Sequence, residues 1–484
     1  MKPLAAGIVA LLLAGCSTAP VYHVPAAPVP EAYKEAGPWQ PAAPSDRIDR
    51  GDWWTIYHDA TLDALEAKID GGNADLAAAL ARYDEANAYA QQARSGLFPT
   101  LSAGALGTGN RQSDHRPLRS ANQPTFYGNN TLDAEIDYEL DLWGRVRNEV
   151  AAGKAGAEAA AADLASVRLS LHAQLASTYL QLRDLDSQAQ LLLDTTNAYE
   201  RASTLTQNRF RDGIASGLDV ARARTQLDIA KAQAGRIRAT RALYEHALAS
   251  LVGEPASSFA IAPAVVKLDV PAIPSGVPST LLQRRPDIAA AERRAAAANA
   301  EIGVARAAFF PRIMLDALGG FQNTGGAGWL TAPNLFWTFG PQAVATLFDG
   351  GKREARVAQA RALEDEAAAR YRGTVLTAFQ QVEDNLALLR ELETTAQAQG
   401  DAVASAQREL QLALNRYQEG VVDYLEVITA QTRSLQTQRD ALDLDTQRLN
   451  ASVNLIRALG GGWSSAELGD SRQTTAPSPK TNAG

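Results

Sequence analysis

The sequence predicts an internally duplicated α+β membrane protein, with four transmembrane β-strands per chain joined to long coiled-coil helices. Three observations predict it. A lone cysteine ends an apolar leader, residues recur at a fixed spacing over most of the chain, and two stretches without proline are too long for an ordinary globular core.

Composition sets the outer bounds. The chain has 484 residues, 46% of them hydrophobic, enough apolar side chains to order a fold of more than one core. Its 46 Lys and Arg against 54 Asp and Glu give a net charge of -8 without a basic block, so a nucleic-acid partner is excluded. One cysteine excludes internal disulfides and Cys-rich metal sites.

The leader comes first. Lys2, the apolar run Leu4 to Leu13 and the small residues Ala14 and Gly15 precede Cys16. This is a secretory signal, too short to span a bilayer. Leu13-Ala14-Gly15-Cys16 resembles the lipobox of bacterial lipoproteins, which implies cleavage after residue 15 and lipidation of Cys16. Acyl chains contributing about 0.8 kcal/mol per buried methylene would hold the mature chain on outer-membrane lipids. Residues 16–59, rich in Pro and Ala, are read as an extended tether, and residues 463–484 as a disordered tail.

Between them the chain repeats itself. At a spacing of 212, Asp75, Ala86, Asn87, Arg94, Phe98 and Pro99 fall on Asp287, Ala298, Asn299, Arg306, Phe310 and Pro311. At a spacing of 207, Arg183, Asn208, Arg209, Gly213, Leu218 and Gly253 fall on Arg390, Asn415, Arg416, Gly420, Leu425 and Gly460. Two copies of one unit follow, 60–253 and 287–462, joined by a Pro-rich crossing at 254–286.

Each copy predicts a helix, a strand pair, a long helix, a turn and a shorter helix. Leu164, Val167, Leu171, Leu175, Leu182 and Leu185 fall at coiled-coil spacing, and Val375, Phe379, Val382, Leu386 and Leu389 repeat it. No proline interrupts Trp143 to Arg211 or Lys352 to Tyr417, and either stretch as one helix would be roughly 100 Å long. In the strand Thr131 to Leu142, Leu132, Ala134, Ile136, Tyr138, Leu140 and Leu142 alternate with Asp133, Glu135, Asp137, Glu139 and Asp141, giving one apolar and one acidic face. Leu101 to Gly109, Arg312 to Phe321 and Phe336 to Phe348 supply the other three strands. Segments of about ten alternating residues suit a tilted membrane strand.

Topology then constrains assembly. The short helices Ala74 to Phe98 and Leu218 to Val252, stacked end to end, match one long helix. Four strands cannot close a hollow barrel, and an open edge in lipid leaves backbone groups unpaired at several kcal/mol each. Three chains would give twelve strands and an aqueous lumen, so a homotrimer is expected.

The residues resemble the TolC-type outer-membrane efflux proteins, in the NodT-like lipoprotein branch that serves pumps of the resistance-nodulation-division (RND) class. Leu281-Leu282-Gln283-Arg284-Arg285-Pro286-Asp287-Ile288 continuing to Phe309-Phe310-Pro311 is close to a family signature, and Glu139-Leu140-Asp141-Leu142-Trp143-Gly144-Arg145 is another. The resemblance implies a trimeric 12-stranded barrel on a periplasmic α-helical tunnel, docked on a periplasmic membrane-fusion adaptor and an inner-membrane RND transporter. It implies a passive duct for drugs or other small molecules, with no catalysis and no cofactor. A type I protein-secretion duct and a lipid-anchored coiled-coil scaffold are the alternatives.

Chemistry-bearing motifs are sparse. Gly350-Gly351-Lys352 lacks the Ser or Thr of a phosphate loop, and the five His show no metal spacing. Function is expected at the hairpin turns Phe210 to Val220 and Tyr417 to Val427, where Gly213 and Gly420 permit tight backbone. By resemblance a constricted entrance lies there, with Leu425 in an apolar ring and Leu218 as its repeat equivalent. Some relatives carry Asp where this chain has Thr429, so Asp219, Asp423 and Glu426 are the candidates for an acidic ring, each open to the alternative of capping a helix start.

Overall fold

A computed structural model describes residues 17–36, 50–117, 120, 122–273, 278–325, 328–466 and 468. Helices α1 (Ala60–Gly72) and α2 (Ala74–Ser95), strands β1 (Thr100–Arg111) and β2 (Phe126–Glu139), and helices α3 (Arg145–Arg211) and α4 (Gly217–Leu251) form the first copy. Helices α5 (Pro278–Arg284) and α6 (Pro286–Ala307), strands β3 (Arg312–Asn323) and β4 (Leu335–Val344), and helices α7 (Lys352–Gln418) and α8 (Tyr424–Ala458) form the second. The chain divides into two compact units, one of Met1–Ala26, Tyr83–Ala160 and Ala290–Tyr371, the other of Ala27–Arg82, Ala161–Ala289 and Arg372–Gly484.

The first unit carries the sheet, antiparallel in the order β1-β2-β3-β4. Its register settles the two faces. Leu132 pairs with Ala105 and Phe321, Ile136 with Leu101 and Ala317, and Gly319 with Trp337, so one face is apolar over this stretch, giving way to Asn130 and Asn323 at its far end. Asp133, Glu135, Asp137 and Asp316 fall on the other, with Asp137 directly opposite Asp316. Both edge strands, β1 and β4, have a neighbour on one side only among the described residues.

Two strands end earlier than the alternation predicts. β2 stops at Glu139 rather than Leu142, because Asp141 leaves the ladder to accept the backbone N–H groups of Val146 and Arg147 at the start of α3. β4 stops at Val344 rather than Phe348, at the residue paired with Arg312, the first of β3. Pro311, which has no N–H to donate, precedes it. At the foot of the sheet the Trp143 ring stacks on Phe310 at 4.7 Å and its Nε1 donates to the Pro311 carbonyl at 2.8 Å.

Both long helices are continuous over 67 residues, and the glycines within them break neither. An isolated glycine costs about 1 kcal/mol, which tertiary packing outweighs. The short helices stack end to end as the topology requires. In the first copy Asn73 Nδ2 donates to the Leu251 carbonyl at 2.8 Å, joining the start of α2 to the end of α4. In the second, Arg285 takes the role of Asn73 and donates to the Ala458 carbonyl at 3.1 Å. The two acceptors are themselves repeat equivalents.

The main apolar core lies in the second unit, where Leu62, Leu65 and Ile69 of α1 pack on Leu175, Tyr179 and Leu182 of α3 and on Leu248 of α4. Trp53, Trp54 and Tyr57 belong to this core. That places the end of the segment read as a tether inside the fold. Tyr57 Oη shares a 2.6 Å hydrogen bond with Ser452. The preceding residues are docked as well. In the first unit Thr18 Oγ1 donates to the Gly303 carbonyl at 2.8 Å and Ser17 Oγ to Asn148. In the second, Glu383 accepts the N–H groups of Lys34 and Glu35 with both carboxylate oxygens, and Arg390 holds Glu35 at 2.7 Å. Proline-rich composition is silent about the side chains that fasten the described residues of this segment.

One buried ionisable pair breaks the repeat. Glu66 of α1 is fully buried, and its carboxyl meets Nδ1 of His172 at 2.7 Å, while the Trp54 ring stacks on the imidazole at 4.5 Å. Burial, with Asp63 and Asp70 nearby, pushes Glu66 up to about 9, and burial pushes His172 down to about 4, so the pair is neutral at physiological pH. The second copy has Pro278 and Phe379 at the matching positions. His172→Phe alone should cost about 2–4 kcal/mol by stranding Glu66, and the double variant Glu66→Met, His172→Phe should regain most of it. Thermal unfolding of the two variants beside the parent checks this, and equal losses in the single and double variants would contradict it.

Candidate functional site: the helical hairpin tips

The two hairpin turns are built alike. Helix α3 ends where Gly213, at φ +76°, donates its N–H to the Phe210 carbonyl and Ile214 donates back to Arg209. Helix α7 ends where Gly420, at φ +77°, donates to Tyr417 and Val421 donates to Arg416. Both are left-handed helix ends that satisfy the last carbonyls, which is why glycine stands there.

Each following helix is capped by an oxygen side chain. Ser216 and Asp219 form a reciprocal capping box at the start of α4. Asp423 caps α8, accepting the N–H groups of Leu425 and Glu426. Glu426 meets Arg416 at 2.8 Å across the turn, on an exposed surface where such a pair contributes under about 1 kcal/mol. Thus the three candidate acidic residues all sit at the tips, and all three already have local partners.

The apolar candidates are presented differently. Leu218 is 58% exposed and Leu425 46% exposed, each in the first turn of its helix. Tyr424 and Val427 are buried with Tyr417 and Ala223, and the Tyr417 and Tyr424 rings lie 5.2 Å apart. Burial beside Tyr417 pushes the Tyr424 hydroxyl up to about 12. Leu425 therefore projects from a tip that other residues hold together.

Sequence reasoning passed over the residue that ties the two hairpins. Arg209 of α3 donates Nη1 to the Tyr417 carbonyl at 2.7 Å, and its guanidinium lies 4.6 Å from the centre of the Tyr417 ring. The match of Arg209 with Arg416 at the repeat spacing was the available signal, but it does not reveal that one reaches the other hairpin and the other its own.

Farther along α3 a polar knot joins it to α8. Gln188 Nε2 donates to Asp184 at 2.8 Å and to Asp443 at 3.2 Å, and Arg439 Nη2 donates to the Gln188 side-chain Oε1. Asp184 is 5% exposed and its Oδ1 has no hydrogen-bond partner among the described residues. Burial, with the Asp443 charge beside it, pushes the Asp184 carboxyl up to about 6. A raised carboxyl binds its proton more tightly folded than unfolded, so stability falls as pH rises from about 4 to about 6. Asp184→Asn should be more stable than the parent by about 2 kcal/mol at pH 7.5 and no different below pH 4. Denaturant unfolding across that range checks it, and a difference constant with pH would contradict it.

The match to known proteins decides the family. The model of the outer membrane efflux protein family matches twice, at residues 68–254 and 277–461. The chain belongs to that family. Outer membrane protein OprJ of Pseudomonas aeruginosa is 34% identical over 459 residues, covering 94% of this chain and 95% of the relative. The probable efflux pump outer membrane protein TtgC of Pseudomonas putida is 32% identical over 480 residues, 99% of each chain. A crystal structure of a membrane protein from Pseudomonas aeruginosa superposes with a TM-score of 0.85 at 33% identity, over 93% of this chain and 98% of that one. The Campylobacter jejuni CmeC outer membrane channel superposes at 0.89 over 95% of this chain and 98% of that one, with 23% identity, and so shares the fold.

Membership fixes the location as the outer membrane and the fold as duplicated strands joined to long helices. No helix among the described residues is long and apolar enough to cross a membrane. Cys16 lies outside the described residues. Ser17, which follows it, is fixed against Asn148 near the start of α3.

Proposed function

We propose that this chain is the outer-membrane channel of a tripartite efflux system, a passive duct through which an inner-membrane RND pump and a periplasmic adaptor expel small molecules. The observation that carries this reading is the sheet. One face is apolar enough for lipid, the other bears carboxylates suited to water, and both edges await a neighbour. Three copies close twelve strands around a lumen. Efflux as the physiological task is supported by relatives named for it, TtgC among them. A water-filled duct asks no covalent chemistry of its residues, and substrate choice then belongs to the pump.

Two finer assignments belong to the same proposal. Cys16 carries the lipid anchor, and the two residues after it, Ser17 and Thr18, are docked on Asn148, Trp143 and Gly303. Leu425, with Leu218, forms the apolar constriction at the periplasmic entrance, while Asp219, Asp423 and Glu426 give the tips their negative charge. Purified protein in planar bilayers should give discrete single-channel steps and should copurify with an adaptor and an RND transporter. Trimers that insert yet pass no current, even with Leu425→Ser, would sink the duct, and copurification with a protein-secretion ATPase would reassign it to protein export.

A further inference from the structure

The two copies differ at the foot of their second strands, and the difference points to a residue-level seam between subunits. In the first copy β2 outlasts its pairing with β1. Thr100, the first residue of β1, pairs with Asp137, yet β2 continues through Tyr138 and Glu139 because Leu315 and Met314 of β3 pair with them. Leu140 N–H still reaches the Ile313 carbonyl, and Trp143 then covers Phe310, two residues before β3 begins. Every one of these contacts keeps a single register.

In the second copy β4 ends at Val344, where β3 gives out, and Ala345–Phe348 have no strand neighbour among the described residues. The repeat equivalents of Tyr138 and Glu139 are Ala345 and Thr346, and the element that should pair with them is a β1. Among the described residues β1 is paired on one side only, by β2. Side chains tell the same story. Leu347 is 93% exposed, Phe348 88%, and Phe98, at the foot of β1, 62%. Phe98 is the repeat equivalent of Phe310, but the position matching Trp143 is Gly350, so no ring of the second copy covers it from that place.

We infer that Ala345–Phe348 is the missing foot of β4, completed on β1 of a second copy of this chain, with Leu347 against the partner's Leu101 and Phe348 supplying the ring that covers the partner's Phe98. The inference rests on the shared barrel proposed above. Transferring the β2–β3 register through the repeat places Leu347 directly opposite the partner's Leu101, on the apolar face. Phe348, one residue on, points to the opposite face, where it falls opposite the partner's Thr100 and diagonal to the partner's Phe98. A diagonal neighbour about 7–8 Å away is within reach of an aromatic side chain. The seam between subunits thereby copies the Trp143–Phe310 seam within a subunit, with the covering ring moved by two residues.

Disulfide trapping in the full-length lipoprotein tests it. Directly opposite positions lie about 4.5–5.5 Å apart at Cα, within disulfide range. The double variant Leu347→Cys, Leu101→Cys should give covalent trimers on non-reducing gels after mild oxidation, which neither single variant nor the parent with Cys16 alone should give. The off-register pair Leu347→Cys, Ala103→Cys should give several-fold less. Gln342→Cys, Leu106→Cys, opposite each other higher up the same seam, reports on the barrel independently. If that pair links and Leu347→Cys, Leu101→Cys does not, the foot is overturned and the barrel stands; if neither links, both fall. Phe98→Ala and Phe348→Ala should each lower the temperature at which trimers dissociate, and the double variant should go little further. A fully additive loss would overturn the ring contact.

Discussion

Gly253→Ala should abolish most of the folded, detergent-resistant oligomer, and Gly460→Ala should do the same. At φ +76° Gly253 occupies the left-handed region, and a Cβ there would lie 1.9 Å from the Gly72 carbonyl oxygen. Gly460, at φ +95°, would bring its Cβ to 2.0 Å from the Arg284 carbonyl oxygen. Neither neighbour is a flexible side-chain end that can swing away. In both copies the obstructing atom is backbone at the junction where a short helix meets the helix stacked on it. Backbone strain of about 1–3 kcal/mol and an overlap costing about as much again add up to roughly 2–5 kcal/mol, a large part of an ordinary folding free energy. Gly235→Ala is the contrast. It lies within α4 at ordinary φ with open space around it, and the substitution should stabilise by about 0.5–1 kcal/mol. Oligomer yield and dissociation temperature measure all three, and Gly253→Ala behaving like Gly235→Ala would remove the junction from any structural role.

These glycines also show how far the sequence could be read. The spacing of 207 paired Gly253 with Gly460 without a structure, and the same self-comparison located both hairpin turns. It did not show what the glycines face, because their neighbours, Gly72 and Arg284, are equivalent in position and unlike in type. Contact between backbones leaves no mark on side-chain identity. The same holds for Asn73 and Arg285, two unrelated side chains that reach equivalent carbonyls. Strand interiors were legible because lipid and water demand opposite side chains every second residue. Strand ends were not, since they depend on where a neighbour stops. The alternation through Leu142 continues past the point where Asp141 turns to cap α3. At the tips, the spacing paired Leu425 with Leu218 and the family resemblance pointed to nearby acidic residues, but whether those acids cap helices was left open, because a cap depends on local backbone geometry.

Leu425→Ser should open the channel without unfolding it. The two properties separate because the side chain that would gate is not one that holds the hairpin. Tyr424 and Val427 are buried against Tyr417 and Ala223, whereas Leu425 is half exposed and contributes its backbone N–H, which serine retains, to the Asp423 cap. In the constriction proposed above, three Leu425 side chains would meet near the threefold axis. If each regains half of the roughly 1.5–3 kcal/mol of full leucine burial there, together they favour the closed tip by about a hundredfold. Serine forfeits that and lets water wet the constriction. Cells carrying the variant should become several-fold more sensitive to vancomycin, and single-channel conductance should rise, with unchanged amounts of trimer. Glu426→Gln, which removes only the exposed pair with Arg416, should move either readout far less. Val427→Ser should lower trimer yield instead, since it digs into the buried cluster. A Leu425→Ser trimer with parental conductance and parental vancomycin resistance would place the constriction elsewhere and leave the tip as a docking surface alone.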